Sequence, residues 1–245
     1  MEFVRFPLLG LLSALMITAA SLAGSASAAI PSGTSGSSSL TDSEPATAYF
    51  MTVFAWEDPR INHTFATFMK VKSRDPNFES IDAFQAHTIS WLPVGLTFNP
   101  WGQAERGKNF SLLQTLDEAR HRHDRLTAFG PYRITPRLYN KAITQIHRLE
   151  NGGVKYKVID TVSRELGGAL QAVHAVTDID TSRGLVHTGS LHGEPASRRT
   201  VLHFIPEILN PMKSYDRLMD HLGTDGYEIQ KKDITPEEIN RYRSG

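Results

Sequence analysis

The chain has 245 residues, with 26 Lys plus Arg against 26 Asp plus Glu, 40% hydrophobic residues and no cysteine. Balanced charge excludes a global field that would draw in nucleic acid or an anionic membrane. The missing cysteines exclude thiol catalysis, thiolate metal sites, disulfide staples and a thioether lipid anchor.

Residues 1–28 read as a cleaved targeting segment. Arg5 is its one basic residue, an apolar run spans Leu8 to Ala20, and Ala26-Ser27-Ala28 supplies a small-residue cleavage signal. Residues 29–45, which include Pro31-Ser32-Gly33-Thr34-Ser35-Gly36, are Ser/Gly-rich with nothing to bury, and read as a flexible linker. Residues 46–245 are then expected to form a single globular α+β domain with a polar C-terminal tail. An exported chain, periplasmic or secreted, follows from the targeting segment, with no stable membrane span after cleavage and no nucleic-acid partner.

Ala48 to Ala55 is rich in aromatic and β-branched residues and reads as a first strand. Residues 63–72 carry apolar groups on both alternating sides, the pattern of a strand covered on both faces. After a polar excursion over 73–82, a third strand is expected from His87 to Leu92, stopped by Pro93. Gly95 to Lys108 reads as an ordered loop. Ser111 caps a helix in which Leu112, Leu116, Ala119, His123 and Leu126 recur at helical spacing. A short extended piece over 130–134 leads to Thr135-Pro136, a cap with proline at the first helical position. Leu138, Ala142, Ile146 and Leu149 then form a stripe that ends at Asn151-Gly152-Gly153.

Val154 to Ile159 alternates and reads as a strand. A third helix is expected around Leu166, Ala169, Leu170, Val173 and Val176, and a last strand over Arg199 to Ile205. Tyr215, Leu218, Met219 and Leu222 define a short helix, and Thr235-Pro236 offers another cap within the polar tail. Strands concentrate early and helices in the middle. That order predicts a central, mostly antiparallel sheet with about three packing helices.

His63 and His87 each open a His-Thr strand and are the candidate catalytic residues. Paired in register they would share one rim of a sheet, where one imidazole acts as base while the other orients it. His174 lies at the edge of the apolar stripe of the third helix. Ser90 and Ser163 are available hydroxyls without a motif around them. There is no HExxH, Walker loop, GxSxG elbow or Gly-rich dinucleotide turn, so neither a metal nor a cofactor is expected. The scattered His187, His192 and His203 lack recognisable ligand spacing.

The order Asn62-His63-Thr64-Phe65, then Ala86-His87-Thr88, then a helix over 167–178 resembles the permuted papain-like group, which includes the NlpC/P60 and lecithin-retinol acyltransferase-like hydrolases. In that group a histidine opens an early strand, a second polar residue lies on the next, and a nucleophilic cysteine begins a later helix. The resemblance implies that Ala172 stands where the cysteine would be. Alanine has no lone pair to attack a carbonyl, so acyl-enzyme chemistry would be lost. The expectation is a non-catalytic papain-like domain that binds a peptide, glycan or acyl ligand in a cleft between the His63/His87 rim and the helix carrying Ala172 and His174. The alternatives are a His-dependent hydrolase using serine or water, and a structural or interaction domain without a chemical site.

Overall fold

Four runs of aromatic and β-branched residues build the main sheet: β1 (Ala46–Glu57), β2 (Asn62–Ser73), β3 (Ala83–Ile89) and β6 (Arg125–Ile134). The computed structural model describes residues 44–57, 62–97, 99, 102–160, 168–182, 186 and 193–244. A short parallel strand, β9 (Ile229–Lys232), completes a five-stranded sheet in the order β3-β2-β1-β6-β9, whose other pairings are antiparallel. A smaller sheet runs β4-β5-β7-β8, made of β4 (Trp91–Pro93), β5 (Glu105–Asn109), β7 (Lys155–Tyr156) and β8 (Ala169–Leu170). The α+β class with a mostly antiparallel central sheet is therefore as the residue pattern implies.

β1 and β2 are buried on both faces, because each sends large apolar side chains alternately to two cores. On the first face Met51, Val53, Ala66 and Phe68 meet Leu138, Ala142 and Ile146 of α2 (Pro136–Asn151). The same core takes Ala175 and Val176 of α3 (Ala172–Thr177) and Val201 of α4 (Gly193–His203). On the second face Phe50, Phe54, Trp56 and Phe65 meet Leu112, Leu116 and Ala119 of α1 (Leu112–His121). Leu218, Met219 and Leu222 from a 3₁₀ helix (Asp216–Leu222) close that side. Removing such a side chain, as in Leu116→Ala, costs about 2–5 kcal/mol through lost transfer and a residual cavity.

Helix starts follow their caps. Ser111 Oγ accepts a hydrogen bond from the Gln114 N–H while the Gln114 Oε1 accepts one from the Ser111 N–H. Thr135 caps α2, with Pro136 at the first helical position. Thr235 and Glu238 form the same reciprocal box at α5 (Pro236–Ser244).

Several boundaries differ from the sequence reading. α1 ends at His121, and Leu126 belongs to β6 rather than to the helix. His123 takes a left-handed backbone, φ 57°, and occupies the turn position that glycine usually marks. Glu105–Asn109 is a strand where a loop is expected. Gly107 there lies so close to Trp91 that a Cβ would sit 2.1 Å from the indole. Arg199 to Ile205 is not a strand: α4 runs through His203 into a 3₁₀ turn at Ile205–Glu207. The β-branched Thr200 and Val201 mislead locally. Ala196, Ser197, Thr200 and Val201 are all buried, on a face that recurs at helical spacing against the sheet. The third expected helix shrinks to Ala172–Thr177, because Ala169–Leu170 pairs as a strand beside β7. Its expected start, including Leu166, lies outside the described residues. The tail is ordered by β9 and α5.

Candidate functional site

His63 and His87 do not share a rim. His63 lies on the β2 side that carries Phe65 and Met69 into the second core, with its ring stacked 5.4 Å from that of Phe65. His87 pairs in register with Phe68, which faces the first core, and its ring meets Tyr139 of α2 edge-on at 6.5 Å. The two imidazoles therefore occupy opposite sheet faces. They are also five positions apart along β2, about 16 Å at strand rise. The expected in-register histidine pair is corrected on both counts: a one-residue parity difference sends every side chain to the other face.

His63 is instead an interior residue, 1% exposed. Its Nε2 lies 2.9 Å from Ser90 Oγ, and Ser90 Oγ lies 2.7 Å from Thr115 Oγ1. Thr115 Oγ1 lies 2.9 Å from the Ser111 carbonyl. This chain of hydroxyls ties the start of β2 to the β3–β4 junction and to the first turn of α1. A histidine beside a serine resembles an activated nucleophile. Two facts separate it from one. Ser90 has no exposed surface, and Nδ1 of His63 has no partner among the described residues to orient the ring. Burial lowers the His63 pKa to about 3, so the ring stays neutral.

His174 forms a second interior constellation. Its Nδ1 faces both carboxylate oxygens of Asp160 at 2.8 Å, which places the ring proton on Nδ1. Asp160 also accepts from the Gln171 N–H at 2.8 Å. The Gln171 amide lies 3.2 and 3.4 Å from the two ring nitrogens. The ring is thus held within the protein by Asp160 and Gln171. Ala172, the first residue of α3, is 5% exposed and presents only a methyl group. His174 and Ala172 stand on the first-face side of the sheet with α3, whereas His63 faces the second. The expected cleft between the His63/His87 rim and the Ala172/His174 helix is not formed by these residues.

A third network joins α2 to the end of α3. Asp180 accepts from Lys141 Nζ at 2.9 Å and from the Ser182 N–H at 3.1 Å, and Arg137 pairs with both Asp180 and Glu207. Burial opposes ionisation of Asp180, but the bonds from Ser182 and Lys141 outweigh it and hold its carboxyl well below the usual range. His203 Nε2 lies 3.1 Å from the Asp180 carbonyl, which fastens α4 to the same corner.

Of the predicted site residues, His87 lines a cleft. The cleft holds about 480 Å³ and wraps the outer edge of β3. Phe84, Ala86 and Thr88 line it from the second face together with Phe110, Leu113 and His221; His87, Ile146 and Glu150 line it from the first. Sequence reasoning missed His221, Glu150 and Phe84. The run Ala83-Phe84-Gln85-Ala86-His87-Thr88-Ile89, without Asp, Glu, Lys, Arg or Pro, is the signal that could have found Phe84, since sheet edges usually carry a charge or a proline; no such signal marks His221 or Glu150. Ser163, His187 and His192 lie outside the described residues. Among the described residues no group of three or more metal-ligating side chains could hold an ion, and no helix is long and apolar enough to cross a membrane. Comparison with protein-family models, with curated proteins and with solved structures finds no match for this chain.

Proposed function

We propose that this is an exported, non-catalytic domain that binds a peptide, glycan or acyl ligand at the cell envelope or outside the cell, through the cleft along β3. The observation that carries this reading is where the imidazoles go. His63 and His174 are 1% and 5% exposed and hydrogen-bonded to interior partners. His87, which does reach the cleft, has no serine, cysteine or carboxylate paired with it among the described residues. General acid–base work needs a ring nitrogen within reach of a substrate proton, about 2.6–3.2 Å. A ligand in the β3 cleft meets the apolar rings of Phe84 and Phe110, the amides of Asn109 and Gln114, the imidazoles of His87 and His221, and the Glu150 carboxylate, which is recognition chemistry. The export assignment rests on Arg5, the Leu8–Ala20 run and Ala26-Ser27-Ala28. Kinship with the permuted papain-like group remains part of the proposal, with Ala172 in the nucleophile's place and His174 two residues on.

The 2.9 Å contact between His63 and Ser90 favours one rival, a hydrolase that opens to expose that serine. A turnover screen with p-nitrophenyl esters and peptide p-nitroanilides separates the two. Wild type, His63→Ala, Ser90→Ala and His174→Ala are compared after their folded fractions are matched by near-UV circular dichroism. The binding reading expects no turnover above buffer in any of the four. Turnover by wild type that falls tenfold or more in His63→Ala or Ser90→Ala overturns it.

A further inference from the structure

The outer edge of β3 carries main-chain groups without a partner among the described residues. Three observations fix which ones. Asn109 Nδ2 donates to the Thr88 carbonyl at 2.9 Å while Asn109 Oδ1 accepts from the Ser90 N–H at 2.9 Å, so residues 88 and 90 point their polar groups away from β2. The hydroxyls of Thr67 and Thr88 approach to 3.0 Å across the β2–β3 pair, the closeness of a non-hydrogen-bonded antiparallel pair. At the other end the Asp82 N–H bonds to the Lys72 carbonyl, beside the Lys72–Ala83 pair, as in a bulge that keeps residue 83 turned inward. Residues 84, 86 and 88 therefore face outward. The Phe84 and Ala86 N–H and C=O groups have no partner among the described residues.

The two edges of the sheet are treated differently. β9 is four residues long and carries Lys231 and Lys232, which pair with Asp216 and Glu194. Charge and shortness blunt it. β3 has seven residues, no charge and no proline, and small side chains at Ala83 and Ala86 that let another backbone approach. Asn109 already imitates a neighbouring strand at one end, bonding the Thr88 carbonyl and the Ser90 N–H with a single amide.

We infer that β3 takes up an extended segment of a partner polypeptide as a sixth strand, with its backbone on the Phe84 and Ala86 main-chain groups and its alternate side chains falling on the two sides of the edge. This rests on the reading of the domain as a binding module. One side offers Phe84, Phe110 and Leu113; the other offers His87 and Glu150. The preferred segment thus alternates apolar residues with polar ones and places a lysine or arginine against Glu150. The start of α1 and the end of α2 line the cleft on either side of the edge, and Glu150 there supplies the charge that a basic side chain of the segment meets. The chain's own Ser/Gly-rich residues 31–39 lack the alternating apolar side chains this groove selects.

The test is fluorescence anisotropy of the domain with a labelled nonapeptide of alternating valine and lysine. The comparison peptide has the same sequence N-methylated at every second residue, so that its backbone donors on one edge are lost. Saturable binding of the first, weakened at least tenfold by N-methylation, is expected. Ala86→Pro removes one outward N–H and puts a ring in the cleft; it should weaken binding at least tenfold with thermal unfolding unchanged. Glu150→Gln should weaken the lysine peptide about threefold and leave an alternating valine–serine peptide unaffected. Equal binding of the N-methylated peptide, or no effect of Ala86→Pro, overturns the inference. So does failure of both peptides while chitotriose or laurate binds, although that result leaves the binding reading intact. A concentration-dependent dimer in analytical ultracentrifugation that Ala86→Pro dissolves also overturns it, by naming a second copy as the occupant.

Discussion

Replacing His63 with glutamine should flatten the acid dependence of stability by one proton. Glutamine keeps a donor for Ser90 Oγ and has no titration. In the native protein burial holds the His63 pKa near 3, whereas in the unfolded chain it returns to 6.5. Between those values the unfolded chain binds a proton that the folded chain excludes, so stability falls as the pH is lowered. The slope approaches 1.36 kcal/mol per pH unit, and the loss from pH 6.5 to pH 4 reaches about 3 kcal/mol. Carboxylates that titrate in the same range cancel in the difference between wild type and variant, provided they do not touch His63. Urea unfolding followed by tryptophan fluorescence reports it directly, since Trp56 and Trp91 are both buried. Wild type should lose about 3 kcal/mol more than His63→Gln between pH 6.5 and pH 4. Parallel curves for the two proteins would mean that His63 is hydrated and able to protonate in the folded state. An imidazole that protonates in the folded protein could serve as a general acid or base.

Gly107→Ala should destabilise by about 1–3 kcal/mol, because a Cβ there meets the Trp91 ring at 2.1 Å; thermal unfolding measures it. Asp160→Ala strands two donors, the Gln171 N–H and the His174 Nδ1–H, and should cost about 1–3 kcal/mol for each, read by urea unfolding at pH 7. Asp180→Asn should cost about 1–3 kcal/mol at pH 7. Because the Asp180 carboxyl is held below its usual range, its contribution is present above that range and fades as pH falls toward its folded pKa. The variant and wild type should therefore converge in acid.

The sheet was the most legible part of the chain. Phe50 to Phe54 and Phe65 to Met69 announce strands by composition, and the three capped helix starts at Ser111, Thr135 and Thr235 are readable from side-chain chemistry alone. α4 was not legible. Thr200, Val201 and Phe204 look like a strand over a short window, and only contact with the sheet reveals the helical period. The end of α1 was hidden for another reason: His123 occupies a left-handed position that carries no glycine to signal it. For the site, the sequence suggests one rim for His63 and His87, and the structure puts them on opposite faces. His63 and His87 begin similar-looking strands, but facing depends on register, and register is set by pairing between distant residues. Burial of Ser90 was equally invisible, because it arises from α1 packing across the β3–β4 junction. His87 alone pointed to the cleft.

β9 reaches the sheet late. Its partner β6 is Arg125–Ile134, about a hundred residues earlier, and the two pair in parallel through Leu126–Ile229 to Phe129–Lys232. As the chain emerges from its site of synthesis, β6 must wait beside β1 with one side uncovered while α2, α3 and α4 are made. During that interval the nascent domain has two open edges, and only the one at β6 is destined to close from within. Closure of the sheet therefore waits until Ile229–Lys232 has been made. This makes the C-terminal segment the latch of the sheet: truncation before Ile229 should leave a protein that pairs with itself at β6 rather than one merely shortened.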